Sequence, residues 1–165
     1  MEIIISGSSG FIGKNLIRYI LKNIKKKCKI IALYNNHLPT IKNDNVIYKK
    51  FDIENDEKLI FVNKKSIFIH LAWNNLPNYD STTHITKHLN DQKKFIKKVI
   101  EKKPKKLFVL GTCFEYQLKN SPIDEKTQIK PKNNYAKGKN LLRKYIERTI
   151  DRKTIFIWGR LFYVY

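Results

Sequence analysis

The sequence is short of cysteine, of acid and of long apolar runs, and each shortage excludes a class of protein. Two cysteines in 165 residues, Cys28 and Cys113, cannot build a disulfide scaffold and suit a reducing compartment. No apolar run approaches the ~20 residues of a membrane-spanning helix. The opening Met-Glu-Ile-Ile-Ile lacks the basic stretch and small-residue cleavage site of a secretory signal. The expectation is a cytoplasmic protein with no membrane association. Acid is the third shortage: Asp and Glu number 14 against 34 Lys and Arg, a net charge of +20.

Such an excess of base invites a nucleic-acid reading. The composition argues against it. The basic residues are 29 Lys and only 5 Arg, beside 16 Asn and 24 Ile, a bias of the kind an AT-rich genome produces. The lysines are scattered in small groups such as Lys25-Lys26-Lys27, Lys93-Lys94 and Lys105-Lys106, whereas base readers lean on Arg for bidentate contacts. They read as solvated surface charge with some attraction for phosphorylated small molecules, and no nucleic-acid partner is expected. What the chain does hold is apolar: 42% of it is hydrophobic, enough for the core of one ordinary domain.

The apolar residues alternate between two patterns. Short, nearly continuous runs at residues 2–6, 29–33, 46–51, 66–72, 106–110 and 154–158 predict six strands. Helical spacing predicts helices at 11–24, 85–103 (ended by Pro104) and 135–150; the first carries Phe11, Ile12, Leu16, Ile17, Ile20, Leu21 and Ile24. Continuous apolar strands between helices imply a parallel sheet covered on both faces. With right-handed crossovers the expectation is an α/β, Rossmann-type doubly wound parallel sheet of about six strands, one domain over residues 1–165. Residues 73–83 and 119–134 read as irregular segments leaving the C-terminal ends of strands, where ligands bind in this architecture.

Gly7-Ser8-Ser9-Gly10-Phe11-Ile12-Gly13 follows the first strand and opens the first helix. Gly7 permits a tight turn, Gly10 lets backbone approach a pyrophosphate, and Gly13 allows close helix–strand packing. The free N–H groups and positive dipole end of the helix suit phosphates. The alternative is a plain structural turn. An acid some 20 residues on would hold the ribose 2′-hydroxyl of NAD. The second strand ends instead in Leu33-Tyr34-Asn35-Asn36-His37, without a carboxylate. That leans slightly to NADP over NAD, although no Arg stands there to clasp a 2′-phosphate. Asp52, after the third strand, suits either the adenine amino group or the cap of a polar helical stretch.

Tyr135 and Lys139 lie four apart on one helix face. An ammonium beside the phenol is expected to lower its pKa from about 10, so that it exchanges a proton with a substrate oxygen near neutral pH. Lys139 also suits ribose hydroxyls, and the Thr112 hydroxyl, at the end of the fifth strand, would hold the substrate oxygen beside Tyr135. In isolation a Tyr–Lys pair is an ordinary solvated pair in so lysine-rich a chain. Its position after a glycine loop, and with a hydroxyl at a strand end, gives it weight. His84 and His88 have metal-ligand spacing, but Ile85 stands where a zinc protease has Glu, and no metal is expected. His70 and Trp73 read as packing near the pocket, and Cys113 as a buried, inert thiol.

The chain resembles the extended short-chain dehydrogenase/reductase family of nucleotide-sugar epimerases, dehydratases and ketoreductases. The resemblance rests on GSSGFIG (Gly7 to Gly13), Asp52-Ile53, HLAW (His70 to Trp73), GTCFEY (Gly111 to Tyr116), YAKGK (Tyr135 to Lys139) and RLFYVY (Arg160 to Tyr165), in family order. Within the family, HLAW with LPNY and GTCFEY is most similar to the 4-ketoreductases of deoxysugar biosynthesis. The resemblance implies Tyr135 as acid/base, Lys139 as its partner and Thr112 as the hydroxyl of the catalytic set. It implies a dinucleotide held along Gly7, Ser9, Gly10, Phe11, Ile12 and Gly13, with Asn35, Asp52 and Ile53 toward the adenosine. Leu71, Ala72, Tyr135 and Lys139 would line the nicotinamide side.

The implied function is NAD(P)-dependent oxidation or reduction at C4 of a nucleotide-linked deoxysugar. An epimerase or dehydratase is the alternative, and a non-catalytic dinucleotide-binding fragment another. Three departures stand out. Gln117 replaces the usual Gly, the helix from Ile85 lacks the Asn-Val-x-Gly-Thr wording, and the sequence stops at Tyr165. Family members continue into a substrate-binding portion, so the expectation is a truncated or split enzyme whose substrate domain is absent. Its partner would be a separately encoded C-terminal half or a second copy in a homodimer. The aromatics at residues 160–165 are then expected to be exposed.

Overall fold

The computed structural model describes residues 1–24, 28–55, 59, 61–117 and 120–164. Lys25-Lys26-Lys27 of the expected surface charge, Lys119 of the expected loop and Tyr165 of the final motif lie outside the described residues. In chain order the elements are β1 (Glu2–Ser6), α1 (Phe11–Asn23), β2 (Lys29–Tyr34), β3 (Val46–Lys50), β4 (Ser66–His70), α2 (Leu89–Glu101), β5 (Lys106–Thr112), α3 (Asn134–Thr149) and β6 (Ile155–Leu161). A π-helical turn, His84–His88, leads into α2, and a 3-10 turn, Cys113–Glu115, follows β5.

The six strands form one parallel sheet in the order β3-β2-β1-β4-β5-β6. This is the expected doubly wound topology. Alternation along each strand divides the core in two. Ile3 and Ile5 of β1 join Ile30 and Ala32 of β2 under Ile17 and Ile20 of α1. Ile4 belongs to the other layer, with Phe68, Leu107 and Val109 of the sheet against Phe95 and Ile96 of α2 and Leu142 and Ile146 of α3. Ile4, Phe68, Leu107, Leu142 and Ile146 are wholly buried, each worth about 1.5–3 kcal/mol of hydrophobic stabilisation.

Boundaries differ from expectation where tertiary bonds decide them. β4 stops at His70; Leu71 N–H makes a last bond to Ser6 O (3.1 Å), and the chain then leaves the sheet. β5 and β6 run further, pairing up to Thr112 with Leu161. α3 starts one residue earlier, at Asn134, because the Asn133 side chain accepts from Ala136 N–H (2.8 Å) and caps it. The polar stretch after Asp52 begins as a turn at residues 53–55; residues 56–58 lie outside the description.

Candidate active site

From β1 the chain crosses through α1 to β2, and from β4 it crosses through α2 to β5 on the other side. The strand ends of β1 and β4 therefore open a crevice at the switch point of the sheet. The glycine loop builds one wall. Gly7 has φ +76°, and a Cβ there would lie 2.8 Å from Ala72 N; a Cβ on Gly13 would lie 2.3 Å from Gly7 O. Loop, α1 and the segment after β4 are thus packed backbone to backbone, an approach only glycine allows. Ser8 anchors the loop to β2, its Oγ donating to Leu33 O (2.8 Å). A Cβ on Gly10, by contrast, would meet only Gly7 O at 3.4 Å. Gly10 faces open space at the head of α1, where no side chain caps the helix.

Two cavities flank this loop and share Gly7, Gly10, Leu71 and Trp73 as walls. The first, about 250 Å³, is lined by Ser9, Asn35, Asp52, Ile53 and Ala72. The second, about 370 Å³, is lined by Phe11, Ile12, Gly13, Thr112, Tyr135 and Lys139. All the sequence candidates therefore meet at one crevice. Its two lobes on either side of a bare backbone turn fit the two halves of a dinucleotide. The open side of the second cavity carries Phe162 and Tyr163, 47% and 78% exposed.

Asp52 heads a turn, its carboxylate accepting from Glu54 N–H (2.9 Å) and the Asn55 amide (2.7 Å). The helix that Asp52 would cap in the second of its two readings is not formed over residues 53–55, where these side-chain bonds favour the turn.

Tyr135 is buried among aromatic rings: Tyr79 at 5.6 Å, His84 at 5.6 Å and Trp73 edge-on at 5.9 Å. Lys139 is wholly inside. Its Nζ donates to Leu110 O (2.8 Å) and lies 4.4 Å from the centre of the Trp73 ring and 5.9 Å from that of Tyr135. Burial pushes the Lys139 ammonium down to about 7, partly opposed by Glu115. Burial also drives the Tyr135 phenol well above its ordinary value, helped by Tyr79 and Glu115, with the Thr112 hydroxyl acting in the opposite sense. This corrects the expectation that Lys139 lowers the tyrosine. The ammonium is turned to a backbone carbonyl, and desolvation of the phenolate outweighs it.

Two polar networks behind these residues have no counterpart in the sequence reading. Ser6 Oγ lies 2.7 Å from His70 Nδ1, and His70 Nε2 lies 2.6 Å from Gln92 Oε1. The Gln92 amide donates in turn to Ala72 O (3.4 Å). That orientation makes His70 the donor at Nε2 and Ser6 the donor at Nδ1. His70 is thus a polar tie between strand ends and crevice wall, rather than simple packing, and burial lowers it to about 3, keeping it neutral. The second network surrounds Glu115, which is fully buried. A polar residue within an otherwise apolar run, as at His70, was the available signal.

The His84 Nδ1 accepts from Trp73 Nε1 (3.1 Å) and its Nε2 donates to Asn78 O (2.7 Å), so both ring nitrogens are used. His88 lies instead with Glu54 and Asp91, but the Lys87 ammonium already holds Glu54 at 2.7 Å. Cys113 is buried, which raises its thiol and leaves it protonated.

A parallel doubly wound sheet with a glycine turn at its switch point defines a dinucleotide-binding class of protein. The family model described as "NAD dependent epimerase/dehydratase family" matches residues 3–165, and the chain belongs to that family. Among curated proteins it is 28% identical, over 99% of its own length, to dTDP-6-deoxy-L-talose 4-dehydrogenase (NAD(+)) of Aggregatibacter actinomycetemcomitans. The chain spans 62% of the length of that relative. Among solved structures it is similar to MoeE5 in complex with UDP-glucuronic acid and NAD, with TM-score 0.81, 16% identity, all of this chain and 56% of that one. It is also similar to UDP-glucuronic acid 4-epimerase from Bacillus cereus in complex with UDP-glucuronic acid and NAD, with TM-score 0.76, 21% identity, all of this chain and 57% of that one. No helix among the described residues is long and apolar enough to cross a membrane.

Proposed function

We propose that the chain carries the cofactor site and proton-transfer residues of an enzyme that reduces or oxidises C4 of a nucleotide-linked deoxysugar. The observation that carries this reading is the meeting of Thr112, Tyr135 and Lys139 in one cavity that shares the glycine loop with its neighbour. Nicotinamide dinucleotide, when bound, supplies or takes the hydride. The backbone of Gly7 to Gly13 and the uncapped head of α1 receive the pyrophosphate, and Asp52 and Ile53 border the adenosine. The name of the curated relative carries NAD(+). Asn35, where an acid would repel a 2′-phosphate, leaves this cavity open to NADP as well.

The phenol of Tyr135, held protonated by its surroundings, is suited to donate that proton from Oη as a substrate carbonyl oxygen gains negative charge. The Thr112 hydroxyl orients the same oxygen. Lys139, itself buried and poised near neutrality, supplies a positive charge at low local dielectric, where it acts strongly. In oxidation the proton returns to Tyr135 by the reverse path. Reduction consumes the reduced cofactor stoichiometrically, whereas epimerisation regenerates it within each cycle, so net consumption separates the two.

The test is a thermal-shift titration of the chain with NAD⁺, NADH, NADP⁺ and NADPH. A saturable rise supports the reading, since ligand at 100 times Kd adds ~2.7 kcal/mol to the folded state. No rise with any of them overturns it. Consumption of NADH with a nucleotide-linked 4-keto-6-deoxyhexose, abolished by Tyr135→Phe with the cofactor shift retained, assigns the acid. Unchanged turnover in that variant refutes it.

A further inference from the structure

Glu115 lies beneath the site and lines neither cavity. It is fully buried, and four groups converge on it. Oε1 accepts from Thr112 N–H (3.0 Å) and Trp158 Nε1–H (3.0 Å). Oε2 accepts from the same indole (3.1 Å) and from Arg160 Nε–H (3.1 Å), with Arg143 Nε 4.0 Å away. The space for this carboxylate exists because residue 111 is glycine. A Cβ there would lie 2.5 Å from Oε1 and 2.3 Å from Trp158 Nε1.

We propose that Glu115 is the positioning residue of the site: its carboxylate fixes the backbone of Thr112 at the end of β5, two residues from the Leu110 carbonyl that receives Lys139, and its buried charge acts on that ammonium. This rests on the reading of Thr112, Tyr135 and Lys139 given above. Three consecutive residues at the strand end divide the work. Leu110 O accepts from Lys139 Nζ, Gly111 leaves room for the carboxylate, and Thr112 N–H binds it. The Thr112 side chain also accepts from Phe114 N–H (3.3 Å), and with the Glu115 bond this closes a capping box over the 3-10 turn. Phe114 N–H thereby holds the hydroxyl oxygen while Glu115 holds the backbone that carries it.

A carboxylate is kept in a core only when paired, and the two guanidiniums with the indole achieve that. Among the described residues, the groups that face Lys139 include His70 from β4, which stays neutral, and Tyr135 on its own helix. Glu115 is the anion that acts on it, and it is itself held by Arg160 from β6 and faced by Arg143, one turn beyond Lys139 on α3. Removing that anion removes the charge that favours the Lys139 ammonium while both guanidiniums stay.

The test reads Lys139 and Thr112 directly in the unliganded 165-residue chain. Lysine labelled at Cε reports the titration of Lys139, assigned by the signal lost in Lys139→Met, and the Thr112 amide proton reports its bond. Glu115→Gln should lower the Lys139 midpoint by ~1 unit or more, a tenfold change in its protonation ratio. Glu115→Asp keeps the charge but shortens the reach. It should leave the Lys139 midpoint near that of the wild type while displacing the Thr112 amide. An unchanged midpoint in Glu115→Gln overturns the proposal, as does an equal fall in both variants. If Glu115→Gln does not fold, Glu115→Asp decides alone. A retained midpoint with a displaced Thr112 amide supports the proposal, and any other combination overturns it. A wild-type chain that binds no dinucleotide would remove the proposed function while leaving these titrations to stand or fall separately.

Discussion

Lys139→Met should change how the stability of this protein depends on pH. The wild-type ammonium is 1% exposed and pushed down to about 7 from its ordinary 10.5. The gap of about 3.5 units (10.5 − 7) corresponds to ~5 kcal/mol of differential stability between the two protonation states. Below about pH 7 both folded and unfolded chains hold this proton, so the cost of burying the charge is complete. Between pH 7 and 10.5 the unfolded chain keeps the proton and the folded chain releases it. Raising the pH then stabilises the wild type by up to ~1.4 kcal/mol per unit. Methionine fills a similar volume with no charge and lacks this slope. It loses the bond to Leu110 O and the contact with the Trp73 ring, an offset that varies little with pH.

Urea unfolding at pH 6, 8 and 9.5, followed by tryptophan fluorescence, measures the difference between the two proteins, in which the titration of the other lysines cancels. The stability of Lys139→Met relative to the wild type should fall by ~3 kcal/mol from pH 6 to 9.5. A difference constant within ~1 kcal/mol would refute the buried-ammonium argument.

Three further perturbations test other parts of the crevice. Gly13→Ala places a Cβ 2.3 Å from Gly7 O, a backbone clash that must displace the loop; stability should fall by ~1–3 kcal/mol and NAD⁺ affinity by tenfold or more, read by thermal shift and titration. Asn35→Asp puts a negative charge in the first cavity and should raise the Kd for NADP⁺ about tenfold relative to that for NAD⁺; an unchanged ratio would place the 2′-position elsewhere. His70 is lowered to about 3 from 6.5, so the unfolded chain takes up a proton from pH 6.5 downward that the folded chain refuses. Wild-type stability should therefore fall as pH drops through that window, and His70→Asn should flatten this part of the acid limb in urea titrations at pH 4 to 7.

Much of this architecture was legible from local pattern. The apolar runs of β1, β4 and β5 and the glycine turn after β1 are features of neighbouring residues, set by steric and hydrophobic rules that act within a few positions. They were enough to predict a doubly wound parallel sheet and to bring Gly10, Asn35, Thr112 and Tyr135 to its C-terminal edge. Boundaries were less legible where distant bonds set them, as at Thr112, which pairs with Leu161 from another strand and carries β5 beyond its expected end.

The chemistry of the site was a different matter. Spacing placed Lys139 one turn from Tyr135, and that much the sequence determined by itself. Whether the ammonium would lower the phenol depended on burial, on the direction of Nζ toward Leu110 O and on the anion at Glu115. The partners of Glu115 lie 43 to 45 residues away at Trp158 and Arg160, and those of His70 at Ser6 and Gln92 are 64 and 22 away. Desolvation is a property of all the atoms that exclude water from a point, and no short stretch of sequence contains them.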